Sequence, residues 1–534
     1  MRNLLYCGDQ EYIDTGSVLV LVHMVVKTQR RLRKRGIEER MRICIVAEGC
    51  YPYTVGGMSS WAHGLIRSFP SQEFVILAIV ANRELRGKFV YELPENVVEV
   101  HELYLDDLDW CRHKRKSRMN KKEYQALRSL LLGKQVEWEA LIDYFQKKKR
   151  SLNDLLMGED FLNAVTEFYL LHYSQIVFTD FLWTMRSIYL PLFRTLQMKI
   201  PKADVYHCLC TGYAGVLGCM GKYIHGGRLL VSEHGIYTRE REEELIRSKW
   251  VKGIYKNIWI EQFHKMSKMS YDRADLVTSL YRRARELQVD LECPLEKTMV
   301  IPNGIQVERF QNLLGKTEAE EEEIYVGAVF RVAPIKDVKT LIQAFGFAKE
   351  QEPRLKLWIM GPWDSDDSYA QECFDMVSVM GIADVIFTGK IDVLEYYGKM
   401  DLMILTSISE GQPLTILESF AAHKPVIATD VGDCRGLILG NDDGEDEFGE
   451  AGLITHIMNV GEITQAILTL ARDRQRRIRM GENGYHRVSE IYRMENMLHA
   501  YGEVYKDFAA VMQRPWTEED GESVKQPEDY VGGV

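Results

Sequence analysis

The chain has 534 residues, of which 46% are hydrophobic and 27% are charged. This balance is typical of a globular protein with a large buried core, and it excludes disordered chains, collagens and disulfide-stabilised miniproteins. The 67 basic and 78 acidic residues give a net charge of −11, which argues against a protein that wraps nucleic acid, because phosphate binding needs a basic surface. The length predicts two large domains, because a single core stops growing at about 250–300 residues.

Residues 1–40 are predicted to form a leader outside the folded domains. Their apolar run, Val18–Val26, is far too short to span a bilayer. The basic cluster Lys27–Arg35 follows this run, whereas a secretory signal carries its positive charges before the apolar stretch. A weak membrane-surface anchor, built from the run and the cluster, is the alternative interpretation.

The ten cysteines include no Cys-x-x-Cys pair, and we interpret them as reduced thiols that pack in the interior. Together with the shortness of the apolar runs, this predicts a cytoplasmic protein. Peripheral attachment at the inner face of the cell membrane, through basic patches or partner proteins, is the alternative.

A regular α/β pattern begins at Met41. Apolar runs of strand length alternate with helix-like segments, as in buried parallel sheets. The strands predicted in the first domain are Arg42–Ala47, Phe74–Ala81, Asp204–His207, Arg228–Val231, Leu276–Ser279 and Thr298–Ile301. Polar residues from about 104 to 173, rich in Lys and Arg, predict a helical insertion whose charges form a solvated face or dock onto an anionic membrane or acidic partner. We therefore expect an N-terminal Rossmann-like domain over residues 41–317.

A second series of strands follows the acidic linker Glu318–Glu323. Its predicted strands are Ile324–Phe330, Arg354–Met360, Val385–Thr388, Leu402–Thr406 and Pro425–Thr429. We expect a C-terminal Rossmann-like domain over residues 324–490, a helix over 491–512 that packs back toward the first domain, and a flexible tail over 513–534. The predicted fold class is thus α/β, with two doubly wound domains that face each other across a ligand-binding cleft.

Two segments at predicted strand ends suit an anionic ligand. Arg331 and Lys336 lie between a strand and a helix, so their side chains are predicted to converge on one anion, such as a diphosphate, beside the helix N-terminus. Gly56 and Gly57 lie between the first strand and its helix, where glycines let backbone N–H groups approach a ligand. A simple turn explains the two glycines equally well.

A pair of glutamates follows the strand Leu402–Thr406. Glu410 lies in the loop, Pro413 is predicted at the first helical position, and Glu418 falls about two turns in. Glu418 sits in an apolar run, where a carboxylate is costly to bury without a partner. The two carboxylates could therefore hydrogen-bond two parts of an extended ligand, such as a sugar hydroxyl and a ribose diol.

These residues resemble the retaining glycosyltransferases of family GT4, which have the GT-B fold. The motifs that carry the resemblance are Gly56-Gly57, Ile301–Ile305, Arg331 with Lys336, and Ser409-Glu410-Gly411 through Glu418. The resemblance covers residues 41–508. Within the family, four blocks are most similar to the PelF branch, whose members act in Pel exopolysaccharide synthesis: Gly49–Gly57, His207–Gly218, Ser232–Arg241 and Ser407–Glu418.

The resemblance implies a role for each motif residue. Arg331 and Lys336 would neutralise the donor diphosphate, and Glu418 would hold the ribose hydroxyls. Glu410 would hold hydroxyls of the transferred sugar and stabilise positive charge at its anomeric carbon. The further residues expected to contact the donor are Gly56, Gly57, His207, Asn303, Gly411, Pro413 and Leu414.

The sequence departs from the family pattern at one histidine motif. Family members often have His-x-His at the strand end that here reads Val205-Tyr206-His207, and the second position here is Leu209. We therefore expect either His207 or His234 to contact the sugar. His234 follows another strand end, precedes a glycine, and is assigned to the catalytic group with Glu410, Arg331 and Lys336.

By this resemblance, the chain would transfer a hexosyl unit, with retention, from UDP-glucose or a UDP-N-acetylhexosamine to a growing exopolysaccharide of the Pel type. No metal or other cofactor is expected, because Arg331, Lys336 and backbone N–H groups would meet the leaving-group charge. Asp364-Ser365-Asp366 is interpreted as a solvent-facing turn. Expected partners are the UDP-sugar, the polysaccharide acceptor and membrane subunits of a Pel-type synthase, and not nucleic acid. The alternatives are a nucleotide-sugar epimerase, a glucan synthase, or a non-catalytic nucleotide-sugar-binding subunit of a membrane synthase.

Overall fold

The computed structural model describes residues 40–106, 118–148, 151–248, 251, 253–363, 368–440 and 446–516. Their strands form one sheet of seven and one of six, with parallel pairing throughout. The prediction of two Rossmann-like sheets is thereby confirmed. The predicted leader up to residue 39, the tail from 517 onward and the Asp364–Asp366 turn lie outside the described residues.

The N-terminal sheet has the order β3-β2-β1-β4-β5-β6-β7. Its strands are β1 (Arg42–Glu48), β2 (Glu73–Val80), β3 (Val97–Tyr104), β4 (Val205–Cys208), β5 (Arg228–Glu233), β6 (Leu276–Ser279) and β7 (Thr298–Val300). Six of the seven match predicted strands to within two residues. β3 was not predicted, because it is a half-exposed edge strand in which Glu99, His101 and Glu102 interrupt the apolar pattern.

Ten described helices belong to this half of the chain. They are α1 (Gly57–Arg67), α2 (Lys121–Leu132), α3 (Trp138–Lys147), α4 (Leu152–Leu156), α5 (Glu159–His172), α6 (Phe178–Leu196), α7 (Tyr213–His225), α8 (Tyr237–Arg247), α9 (Gly253–Arg273) and α10 (Arg282–Asp290). Helices α2 to α6 lie between β3 and β4 and form an insertion. The insertion ends at Leu196, whereas its end was predicted near residue 173. Helix α6 extends it, and the apolar side chains on one face of this helix are buried: Phe181, Met185, Ile188 and Leu192.

The C-terminal sheet has the order β10-β9-β8-β11-β12-β13. Its strands are β8 (Ile324–Val329), β9 (Leu355–Met360), β10 (Val385–Gly389), β11 (Leu402–Leu405), β12 (Val426–Thr429) and β13 (Gly452–Thr455). The prediction missed only β13, a four-residue edge strand that begins with glycine. The described helices here are α11 (Val338–Gln351), α12 (Ser368–Met380), α13 (Leu394–Tyr397), α14 (Leu414–Ala421), α15 (Cys434–Leu439), α16 (Val460–Arg472), α17 (Arg474–Glu490) and α18 (Met494–Met512).

The last helix returns to the N-terminal domain. Met497, Leu498, Tyr501 and Tyr505 of α18 are buried in a core that also contains residues of β1, β2 and α1. The chain thus crosses between the domains twice, and the two crossings lie side by side. At this point the Ile305 N–H donates to the Tyr492 carbonyl at 3.0 Å, and the Met494 N–H donates to the Ile305 carbonyl at 2.9 Å. The two segments that connect the domains are therefore hydrogen-bonded to each other.

None of the helices in the described ranges combines the length and the apolar character needed to cross a membrane.

Candidate active site

A cavity of about 280 Å³ lies between the two domains, at the carboxyl ends of strands from both sheets. The lining residues before the linker are Gly57, Met58, Ser60, Trp61, Gly64, His234, Gly235, Glu240, Leu280, Asn303 and Gly304. Those after it are Lys336, Glu410, Gly411, Gln412, Pro413, Leu414, Thr415, Met494 and Met497. This is where doubly wound sheets bind their ligands.

An ion pair forms the C-terminal wall of the cavity. Lys336 follows β8 and Glu410 follows β11, and these strands are neighbours in the sheet. The Lys336 Nζ lies 2.5 Å from Glu410 Oε1, and the Ser407 hydroxyl donates to the same oxygen at 2.5 Å. The pair offers a cation to a phosphate oxygen and, directly beside it, a carboxylate to a sugar hydroxyl or a positively charged carbon.

Two predicted donor contacts lie away from this wall. Arg331 is exposed in the segment after β8 and is not among the residues that line the cavity. Glu418 is only 1% exposed, and its Oε2 accepts a hydrogen bond from the Tyr397 hydroxyl at 3.1 Å. Arg331 thus does not line this cavity beside Lys336. Its convergence with Lys336 on a donor diphosphate, and the contact of Glu418 with a ribose, stay predictions.

His234 lies on the opposite wall, directly after β5. Its ring packs against Trp61, with ring centroids 4.5 Å apart and planes at 74°. Burial lowers the pKa of His234 to about 4, so its imidazole is neutral at pH 7. Its Nε2 has no hydrogen-bond partner within the described part of the chain. A buried polar atom without a partner is unfavourable, so this nitrogen is a candidate contact for a ligand hydroxyl.

His207 does not reach the cavity. Its Nδ1 lies 2.7 Å from the Tyr505 hydroxyl and its Nε2 lies 2.8 Å from the Ser232 hydroxyl, so interior partners occupy both ring nitrogens. Burial lowers its pKa to about 3. Of the two histidines predicted to contact a sugar, the structure brings only His234 to the cavity, and His207 instead ties β4 to α18.

The predicted glycine turn lies at the N-terminus of α1. Gly57 lines the cavity, and Gly56 precedes the helix beside open space, where an added Cβ would meet no described atom within 4 Å. The first turn of a helix leaves its N–H groups without intrahelical partners, which suits an anion. Across the cleft, Leu414 begins α14, and its Cδ1 would lie 3.6 Å from a Cβ at Gly57. Pro413 occupies the N-cap, one residue before its predicted place.

Gln412 and Asp433 were not predicted as site residues, unlike Asn303, Gly411 and Pro413. Gln412 accepts the Asn303 N–H through Oε1 at 2.7 Å and donates from Nε2 to Asp433 Oδ2 at 2.7 Å. These contacts join positions 109 and 21 residues apart. No local pattern reveals such a pairing, since an isolated glutamine in a loop carries no periodicity.

The buried Asp433 predicts a pH-dependent stability. Burial raises the pKa of Asp433 from 3.8 to about 7, whereas in the unfolded chain an aspartate titrates near 3.9. The folded state therefore holds a proton that the unfolded state releases, and stability falls as the pH rises from about 4 to about 7. Asp433→Asn removes this loss and keeps an oxygen for the Gln412 amide. We expect its melting temperature to exceed that of the wild type by more at pH 8 than at pH 5, and parallel melting curves across the pH series would contradict this.

Two family models match the chain. Residues 41–296 match the family "Domain of unknown function (DUF3492)", and residues 322–473 match "Glycosyl transferases group 1". The boundary between the matches falls where the structure passes from the first sheet to the second.

Curated relatives match parts of the chain. The lipopolysaccharide core biosynthesis mannosyltransferase LpsB of Rhizobium meliloti is 28% identical over 216 residues, which cover 39% of this chain and 60% of that protein. The alpha-monoglucosyldiacylglycerol synthase of Streptococcus pneumoniae is 31% identical over 188 residues, covering 33% of this chain and 42% of that protein. The chain thus spans about half the length of these two relatives.

Solved structures match over most of the chain. Sucrose-phosphate synthase of Thermosynechococcus elongatus has a TM-score of 0.57 at 16% identity, covering 88% of this chain and 100% of that protein. HepE of Anabaena, solved in complex with UDP-glucose, has a TM-score of 0.53 at 15% identity with the same coverage. At these identities the likeness establishes the fold alone. The chain therefore has the GT-B fold, and its residues 322–473 match the family model described as glycosyl transferases group 1.

Proposed function

We propose that this chain is a retaining glycosyltransferase that moves a hexosyl unit from a UDP-sugar to a growing exopolysaccharide. The observation that carries the proposal is the Lys336–Glu410 ion pair, with 2.5 Å between its charged atoms, on the wall of a cavity between two Rossmann-like domains. A cation next to a carboxylate matches a donor whose diphosphate carries negative charge and whose anomeric carbon becomes positive during transfer.

In the proposed step, the bond between the anomeric carbon and the UDP oxygen breaks, and a bond from that carbon to an acceptor hydroxyl oxygen forms on the same face of the sugar. The hydroxyl proton passes to the departing phosphate oxygen, and UDP leaves. Lys336 and the N–H groups at the start of α1 offset the charge on the diphosphate. Glu410 holds sugar hydroxyls and stabilises the anomeric carbon, while His234 offers its neutral Nε2 to another hydroxyl.

Fold and sequence similarity support the choice of substrates. HepE, of the same fold, is solved with UDP, with UDP and glucose, and with UDP-glucose, which favours a uridine nucleotide. The relative LpsB is named for lipopolysaccharide core biosynthesis, which favours a glycan acceptor. The four sequence blocks that resemble the PelF branch favour a polymer of the Pel type and membrane subunits of its synthase as partners.

We expect UDP and one UDP-sugar to bind with a chelator present, because Lys336 and helix N–H groups can offset the diphosphate charge without a metal. Lys336→Met is expected to weaken UDP binding at least tenfold, since a hydrogen bond to a charged group contributes about 1.5–3 kcal/mol. Isothermal titration calorimetry against a panel of UDP-sugars measures both effects. Lys339→Met is the matched control, because Lys339 pairs with Glu372 on the surface and does not line the cavity.

Release of UDP on addition of an acceptor then tests the reaction itself. Binding of a UDP-sugar without any acceptor-dependent release would contradict an enzyme and favour a nucleotide-sugar-binding subunit. Absence of nucleotide binding would overturn the whole proposal. Loss of binding on chelation would contradict the metal-independent form of it.

A further inference from the structure

The side chain of Gln412 connects the two domains. It is 5% exposed and lies in the loop that carries Glu410. On the N-terminal side, its Nε2 donates to the Leu280 carbonyl at 3.2 Å, and its Oε1 accepts the Asn303 N–H at 2.7 Å. Leu280 follows β6 and Asn303 follows β7, so the amide reaches the carboxyl ends of two strands in the other sheet.

The same amide also holds the C-terminal domain. Its Nε2 donates to Asp433 Oδ2 at 2.7 Å, and the Asp433 N–H donates to the Gly411 carbonyl at 2.9 Å. The Asn303 Nδ2 adds a bond to the Gln412 carbonyl at 3.3 Å. Both hydrogens and the oxygen of the amide are therefore used, which fixes its orientation.

The two ends of the Glu410 loop are anchored differently. At its start, the Ile408 N–H donates to the Ile335 carbonyl at 2.8 Å, and the Thr429 hydroxyl donates to the Ser407 carbonyl at 2.6 Å. Both partners belong to the C-terminal domain. At its end, Gln412 is held by the N-terminal domain as well. Glu410 lies between the two anchors, so separation of the domains would release one end of the loop that aims its carboxylate.

We infer that Gln412 is a positioning residue that couples closure of the two domains to the placement of Glu410. The effect of Gln412 on sugar transfer rests on the proposed function, whereas its contacts with both domains hold whatever the reaction is. The residue types required are a primary amide at position 412 and an acceptor at position 433, because an amide donates two hydrogens, to the Leu280 carbonyl and Asp433, while its oxygen accepts from Asn303.

Gln412→Glu is the informative variant. It is nearly isosteric and keeps an acceptor for the Asn303 N–H, but it loses both donors and places a second carboxylate against Asp433. The titratable groups around this pair are Tyr281 and Cys434, whose pKa values are raised by burial, and the Glu410–Lys336 ion pair. The double variant with Asp433→Asn restores one hydrogen bond with its direction reversed, because the asparagine amide introduced at position 433 donates to the carboxylate introduced at position 412.

We expect Gln412→Glu to lower kcat about tenfold or more at pH 8 with donor saturating, and to weaken UDP binding by a smaller factor, since the added carboxylate lies on the cavity wall. The double variant regains part of the loss at pH 8, because its asparagine at position 433 donates to the carboxylate introduced at position 412. Hydrogen exchange at the Asn303 amide, compared at one pH, is faster in Gln412→Glu than in the wild type and slows again in the double variant.

The matched control is Gln371→Glu. Gln371 donates to Asp375 at the same 2.7 Å distance, but both residues are exposed on one helix, so the hydrogen bond does not connect the two domains. Similar kcat and exchange in Gln412→Glu and Gln371→Glu would overturn the inference, as would a double variant whose losses simply add. Failure of the proposed function is recognised separately, because the wild type would then show no transfer while exchange at Asn303 still reports on closure.

Discussion

Replacing Glu410 with glutamine is expected to lower the rate of sugar transfer by at least about 10²-fold, because it removes the negative charge that faces the developing positive carbon. The glutamine keeps the shape of the side chain and an oxygen for the Ser407 hydroxyl and the Lys336 ammonium, which both contact Glu410 Oε1. The chain should therefore fold normally. Glu410→Ala, which also removes the partner of Lys336, is expected to be slower still. Steady-state kinetics of UDP release with donor and acceptor measures the effect.

The control for this pair of variants is Glu350→Gln, because Glu350 is exposed on α11 and does not line the cavity. Melting temperatures of all three variants separate a chemical loss from unfolding. Transfer by Glu410→Gln at the wild-type rate would contradict a catalytic role for the carboxylate. A rise in KM with unchanged kcat would assign Glu410 to binding alone, since it would stabilise substrate and transition state equally.

The fold could be predicted because strands buried in a parallel sheet appear in the sequence as continuous apolar runs. Runs such as Arg42–Ala47 are apolar on both faces of the sheet, and eleven of the thirteen strands coincide with an apolar run in the sequence. The two exceptions, β3 and β13, are edge strands; the other two edge strands, β7 and β10, are also partly exposed but keep an apolar run. One face or one side of an edge strand meets solvent or a loop, so Glu99, His101 and Glu102 are tolerated in β3 and the pattern weakens.

The candidate site was predictable only in part. Lys336 and Glu410 follow neighbouring strands, and strand ends in one parallel sheet meet at one edge, so their proximity follows from the order of the elements. Arg331 and Glu418 also follow strands of this sheet, but the direction of the backbone after β8 and the inward face of α14 decide where their side chains point. Both depend on tertiary packing, which the spacing of residues along the chain does not reveal. The position of His207 could not be predicted for the same reason, because its Nδ1 is hydrogen-bonded to the Tyr505 hydroxyl, 298 residues away in the chain.

Gly411 lies at a close contact between the two domains. A Cβ at this position would lie 2.5 Å from the His234 carbonyl oxygen, whereas carbon and carbonyl oxygen normally stay about 3.3–3.6 Å apart. Retreat of the loop is opposed, because the Gly411 carbonyl accepts the Asp433 N–H at 2.9 Å and lies close to the Gly432 backbone, where an added Cβ would be only 2.3 Å from it. We therefore expect a clash at Gly411 to be relieved by widening of the cleft or tilting of Glu410.

Gly411→Ala is accordingly expected to lower transfer about 10²-fold, the loss that a displacement of roughly 1 Å at a reacting centre produces. Its backbone φ is not in the left-handed region, so steric contact and not backbone strain is the cause. UDP release measures the rate, and small-angle scattering with saturating UDP measures the width of the cleft. Gly315→Ala is the matched control, since a Cβ there meets no described atom within 4 Å. If Gly411→Ala transfers sugar as fast as this control, the two domains do not need to meet at Gly411 during the reaction, and the arrangement of His234 opposite Glu410 is not the one in which transfer occurs.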